Sequence, residues 1–271
     1  DKMMLVEIIM GKKTGDKALA TAIDYVRAIK KTPIVVNDTR GFYVNRCVLR
    51  YMSEAFQMLI EGVPPAMIEN AAKMAGMPVG PLALTDETAI DLAQKIMKQT
   101  IRDLGDKAVD ADQFKLINTM VDTHGRFGRK NGKGFYDYPE KPAKKHLWPG
   151  LKDLYKQQDP DRIDVEELKQ RFLVTIALEA ARVMEEGIVT DPREADVGSI
   201  LAFGFAPYTG GALSYIDGMG AERFVKLARK LQKRYGAQFK APKLLLDMAG
   251  KGESFYDRFD PYAGAKEKQA A

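Results

Sequence analysis

The chain has 271 residues, and its 42 basic against 37 acidic side chains leave a net charge of only +5. With 45% apolar residues it has the composition of a folded globular protein, and no run approaches the roughly 18–20 apolar residues of a membrane-spanning helix. A single cysteine, Cys47, excludes an internal disulfide framework and suits a reducing compartment. With only two histidines besides, little is left for a His/Cys metal site.

The first residues, Asp1-Lys2-Met3, lack both an initiator methionine and the basic region of a signal peptide, so the chain reads as part of a longer protein. Met4 to Ile9 is a short apolar run and predicts a strand. A helix follows from Asp16, with Leu19, Ile23, Val26 and Ile29 on one face, and Pro33 to Val36 is a second strand. Strand, helix, strand implies a parallel α/β arrangement, although two strands alone cannot sustain a sheet. Asn37-Asp38-Thr39 then supplies turn chemistry, and Gly41 permits a close backbone approach.

From there the pattern is helical. Apolar pairs from Cys47/Val48 to Leu59/Ile60 predict a helix over about 42–61, with Asn45 in its first turn. Further helices are expected from Pro64-Pro65 to Gly76, from Gly80-Pro81 to about Leu104, and over 112–123. The glycine-rich, basic stretch 125–145 reads as a linker. Its lysines suggest a solvated loop or a contact for a small anion, and no aromatic-interleaved stripe argues for nucleic acid. Asp164 and Glu167 form a capping-box start for a helix ending at Gly187. Asp191-Pro192 opens another helical stretch reaching Tyr235, 242–249 is a last short helix, and 264–271 reads as a frayed tail.

The two helical stretches repeat. Arg46, Glu54, Glu61 and Gly62 recur 125 positions later as Arg171, Glu179, Glu186 and Gly187. Gly80-Pro81-Leu82 with Asp86 matches Gly211-Ala212-Leu213 with Asp217, and Phe135-Tyr136-Asp137 matches Phe255-Tyr256-Asp257. Three matches in one order indicate an internal duplication of a unit of about a hundred residues.

Few residues carry candidate chemistry. Glu7 interrupts an apolar strand: it is either an edge residue facing water or a carboxylate that orients a histidine. Asn45 is either a local cap or a hydrogen-bonding group for a bound carbonyl or hydroxyl. Its counterpart in the second repeat is Gln170, so only the first repeat presents it. His124 and His146 sit in charged, loop-like surroundings and read as surface residues, while Cys47 falls on an apolar helix face. No Gly-x-Gly-x-x-Gly follows a strand.

Taken together, Thr32-Pro33-Ile34-Val35-Val36-Asn37-Asp38, Gly41-Phe42-x-Val44-Asn45-Arg46, Pro78-x-Gly80-Pro81-x-x-Leu84-x-Asp86 and Phe127-Gly128-x-Lys130-x-Gly132-x-Gly134-Phe135 resemble the L-3-hydroxyacyl-CoA dehydrogenase family. Glu185-Glu186-Gly187-Ile188 and Gly204-Phe205-x-Pro207 make the likeness strongest to its multifunctional branch, the α-subunits of bacterial fatty-acid oxidation complexes. The resemblance implies a mainly α fold: a short α/β piece of a Rossmann domain over 1–37, then duplicated 3-hydroxyacyl-CoA dehydrogenase C-terminal domains over 38–145 and 146–271, of the kind that ends 6-phosphogluconate dehydrogenase. It implies an oxidoreductase that uses NAD and no metal, in a parent that also carries an enoyl-CoA hydratase. Glu7 would be the catalytic carboxylate partnering the family's histidine, and Asn45 the substrate-binding residue. The expected partners are acyl-CoA and a second copy or a thiolase subunit, with no nucleic acid and no transmembrane segment. The expected location is the bacterial cytoplasm, or the mitochondrion in a eukaryote. Two departures stand out. The family's His-Phe-Phe-x-Pro motif and dinucleotide fingerprint do not occur in these residues, so the chain alone is expected to be inactive or to serve as a helical assembly module. Leu201 stands where some multifunctional members place a substrate-contacting tyrosine.

Overall fold

The computed structural model describes residues 2–260; the tail expected at 264–271 lies outside them. Strand β1 (Leu5–Met10), helix α1 (Asp16–Ala28) and strand β2 (Thr32–Asn37) form the α/β segment, with the strands parallel and Glu7 opposite Ile34. Then come α2 (Val44–Ile60), α3 (Pro65–Met74), α4 (Pro81–Thr88), α5 (Ile90–Leu104) and α6 (Ala111–Asn118), which continues into a wide turn at Thr119–Thr123. A small antiparallel pair, β3 (Tyr136–Asp137) and β4 (His146–Leu147), precedes α7 (Leu151–Leu154). The chain then builds α8 (Val165–Glu185), α9 (Pro192–Phe203), α10 (Ala212–Met219), α11 (Ala221–Tyr235), α12 (Lys243–Lys251) and α13 (Phe255–Arg258). The fold is mainly α, as the sequence pattern implies.

The chain forms two compact units, one from residues up to Arg50 together with those from Leu173 onward, the other from Tyr51–Phe172. Helices α2 and α8 each contribute to both. In the first unit, the start of α2 meets the end of α8. There Arg46 donates through Nε to Glu179 at 2.7 Å and through Nη2 to Glu186 at 2.9 Å. In the second unit, Arg171 donates through Nε to Glu54 at 2.6 Å and with both Nη groups to Glu61 at 2.6 and 3.1 Å. The repeated arginine of each copy thus pairs with the repeated glutamates of the other.

The duplication also extends to carboxylates, three of them buried and Asp217 half-buried. In the second unit, Glu69 on α3 accepts from Leu82 N at the start of α4 and from the Tyr136 hydroxyl, both at 2.7 Å. Asp86 on α4 accepts from Phe135 N and Tyr136 N at 2.7 and 2.8 Å. In the first unit, Asp196 on α9 accepts from Leu213 N at 2.7 Å and from the Tyr256 hydroxyl at 2.9 Å, and Asp217 on α10 takes Phe255 N at 2.9 Å. Each carboxylate ties backbone amides, that would otherwise lack partners, to a helix start or a returning loop.

Two expectations are corrected. The stretch 125–145 is not a linker: Phe135 is fully buried, Arg126 is buried, and Arg126 donates to Gly134 O at 2.6 Å. Its glycines serve close approach rather than flexibility, since a Cβ on Gly134 would fall 2.1 Å from Asp86 Oδ1. The single helix expected from Gly80-Pro81 to Leu104 is two, broken at Ala89 with φ +75°. The break is imposed from outside the helix, because Ile90 N donates to Phe127 O rather than back along its own turn.

A non-glycine residue in such a conformation stores about 1–3 kcal/mol, against about 0.5–1 kcal/mol of added backbone entropy for glycine. Ala89→Gly is therefore expected to stabilise the chain by about 1 kcal/mol. Thermal melting checks this, and an unchanged or lower midpoint would contradict the strain.

Candidate active site

Glu7 projects from β1 to the start of α2. Its Oε1 accepts from Tyr43 N at 3.0 Å and Val44 N at 3.1 Å. The chain reaches this position through two successive left-handed residues, Gly41 at φ +81° and Phe42 at φ +48°. The first of these suits glycine; the second is strained, as residues at functional turns often are. Helix α2 carries no acidic residue in its own first turn. Glu7 supplies that anion from the neighbouring strand, opposite the positive end of the helix dipole.

Burial pushes the Glu7 carboxyl up from its ordinary range, and the two amide bonds oppose it. A half-buried carboxylate on which burial dominates is suited to face a cation, and an imidazolium would meet that need. Asn45 is the second residue of the same helix, and its side chain is exposed. The structure therefore brings both candidate residues to one helix start, one as the cap and one as an outward-facing amide.

The remaining candidates fall where the sequence suggests. Cys47 is fully buried on α2, where burial pushes its thiol well up and holds it neutral. His124 and His146 are solvent-facing and belong to the unit 51–172, whereas Glu7 and Asn45 belong to the other. The His124 ring stands edge-on to Trp148, and His146 lies 3.6 Å from Asp137. Leu201 on α9 is 38% exposed.

Sequence reasoning missed Tyr43 and Glu194. Tyr43 is fully buried and donates its hydroxyl to Ala195 O at 2.8 Å, while Glu194 accepts from Val35 N. A polar-tipped aromatic between Phe42 and Val44 was the available signal for Tyr43; nothing local marked Glu194. Among the described residues no three His, Cys, Asp or Glu side chains cluster as a metal site, and no helix is long and apolar enough to cross a membrane. The β1–α1 turn is Gly11-Lys12-Lys13-Thr14-Gly15, without the glycine spacing that cradles a pyrophosphate.

Residues 1–39 match the sequence model of the 3-hydroxyacyl-CoA dehydrogenase NAD binding domain, and residues 41–138 match that of the 3-hydroxyacyl-CoA dehydrogenase C-terminal domain. The fatty acid oxidation complex subunit alpha of Shewanella amazonensis is 39% identical over 94% of this chain. The chain belongs to the 3-hydroxyacyl-CoA dehydrogenase family. It spans 36% of the length of that curated relative. Two solved structures share the fold. The 3-hydroxybutyryl-CoA dehydrogenase of Escherichia coli superposes with a TM-score of 0.71 at 21% identity, over 93% of this chain and 68% of that one. The dehydrogenase part of multifunctional enzyme 1 from C. elegans gives 0.65 at 22% identity, over 90% of this chain and 56% of that one. The join between the two family models, at residues 39–41, falls in the turn that carries Glu7's partners from β2 into α2.

Proposed function

We propose that this chain supplies half of the active site of an NAD-dependent L-3-hydroxyacyl-CoA dehydrogenase within a multifunctional fatty-acid β-oxidation enzyme of the cytoplasm. Glu7 is the carboxylate that orients the catalytic histidine and stabilises its protonated form. Asn45 is a side-chain contact for the acyl-CoA substrate. The histidine and the NAD-binding glycine loop lie on polypeptide beyond these residues. The helical domains, 38–145 and 146–271, form the acyl-CoA cleft and the contacts to a second copy or a thiolase subunit. The observation that carries this reading is Glu7 capping the helix whose second residue is Asn45. One carboxylate there holds the helix start and still offers an oxygen to a base.

The purified chain is expected to show no turnover of an L-3-hydroxyacyl-CoA with NAD, followed by NADH absorbance. It is expected to retain weak acyl-CoA binding by calorimetry, and Asn45→Ala is expected to weaken that binding roughly tenfold, the value of one hydrogen bond. Substantial turnover, or equal binding by the variant, would overturn the half-site.

A further inference from the structure

We propose that the segment Glu179–Phe203 of the second repeat is the positioning frame of the Glu7–Asn45 site, with Tyr43 as the residue that transmits its hold. The proposal rests on the reading of Glu7 as the histidine-orienting carboxylate, but its geometry stands independently. Tyr43 is fully buried, and its backbone amide caps on Glu7 while its hydroxyl donates to Ala195 O in α9. One residue thus joins the candidate carboxylate to the second repeat. The ring lies edge-on to Phe203 with centroids 6.5 Å apart. It fits there because α9 carries Gly198, where a Cβ would come within 2.9 Å of Ile34 Cδ1 and 3.0 Å of Tyr43 Cε1.

The same segment also closes the strand before the turn. Asn37 N donates to Ile188 O at 2.8 Å, Asn37 Nδ2 donates to Gly187 O at 2.7 Å, and Val35 N donates to the Glu194 carboxylate. The outer edge of β2 is therefore satisfied by the second repeat rather than by another strand. Just past the turn, Arg46 is held by Glu179 and Glu186. Strand end, turn and helix start are each bonded to this one stretch of chain. A repeat without an asparagine of its own has become the part that fixes the asparagine of the first.

The Val44 amide proton reports on this directly, because it is bonded to Glu7. Its NMR shift is expected to titrate with the Glu7 carboxyl, and Glu7→Gln to abolish that titration. In Tyr43→Phe, which keeps the ring and removes the bond to Ala195, the midpoint is expected to move to higher pH. Amide-exchange protection of Val44 should fall roughly tenfold. Gly198→Ala, which wedges α9 from Tyr43 without altering the tyrosine, is expected to act in the same direction. The Phe135 amide, bonded to Asp86 in the other unit, should titrate as before in both variants. Unchanged Val44 behaviour in both variants overturns the proposal, and so does a parallel change at Phe135, which would mark general loosening. None of these readouts needs substrate, NAD or histidine, so an unaltered acyl-CoA affinity in Asn45→Ala would count against the proposed function and leave this result standing.

Discussion

Arg171→Met is expected to destabilise the chain by about 3–5 kcal/mol, the cost of stripping the cation from a buried ion pair. Arg171 and Glu54 are 1% and 2% exposed, and the guanidinium also grips Glu61 with two nitrogens. Removing the arginine leaves the Glu54 carboxylate desolvated without the cation it faces. The double variant Glu54→Leu/Arg171→Met removes both charges and is expected to recover most of the loss, because exchanging a whole buried pair for apolar groups is often neutral. The counterpart, Arg46→Met, should cost about 1 kcal/mol or less. Its partner Glu186 is 45% exposed, and Glu179 keeps Arg50 and Arg182 at 3.0 and 2.8 Å. Chemical denaturation of the four proteins tests the ranking, and equal losses for the two arginines would refute it.

Asp86→Ala is expected to cost roughly 2–4 kcal/mol, because it leaves the Phe135 and Tyr136 amides without their acceptor. Asp217→Ala, its repeat counterpart, should cost less, since Asp217 is only half-buried and Tyr256 is 39% exposed. A pH signature accompanies Asp86. Burial raises its carboxyl to about 6 from an ordinary 3.8, outweighing the amide and tyrosine bonds that pull it down. Between those values the native state holds the proton that the unfolded chain has released. Stability from this group is therefore present below about pH 4, falls as pH rises to about 6, and is level above. Asp86→Asn removes that slope, and denaturation midpoints measured across the range would show it. A wild-type slope of the opposite sign, lost in the variant, would contradict the assignment.

Much of the fold was legible because its signals are local. Pro64-Pro65, Asp164 and Asp191 mark helix starts by capping chemistry, and apolar pairs along 47–60 mark the buried face of α2. The duplication was legible too, as Arg46 with Glu54 and Glu61 recurring later. What it does was not legible, since spacing within a copy cannot reveal that each arginine reaches the glutamates of the other. Glu69 and Asp196 escaped the comparison because they differ in type and the spacing shifts between copies. Ala89 looks like an ordinary helix residue, and only the distant Phe127 carbonyl turns it out of the helix. The stretch 125–145 has the composition of a linker, yet it holds Phe135 in a core. Of the candidate site, the strand of Glu7 and the first-turn place of Asn45 were readable, whereas Glu7's bonds to the start of α2 and the hold of α9 on Tyr43 depend on tertiary contact alone.

The crossed arginine pairs have a consequence during synthesis. Arg46 lies 133 and 140 residues before its glutamates, and Arg171 lies 117 and 110 residues after its own. At about 5–20 residues per second, Glu54 waits on the order of ten seconds for its cation to leave the ribosome. Each crossed pair is thus completed only once the second repeat has been made.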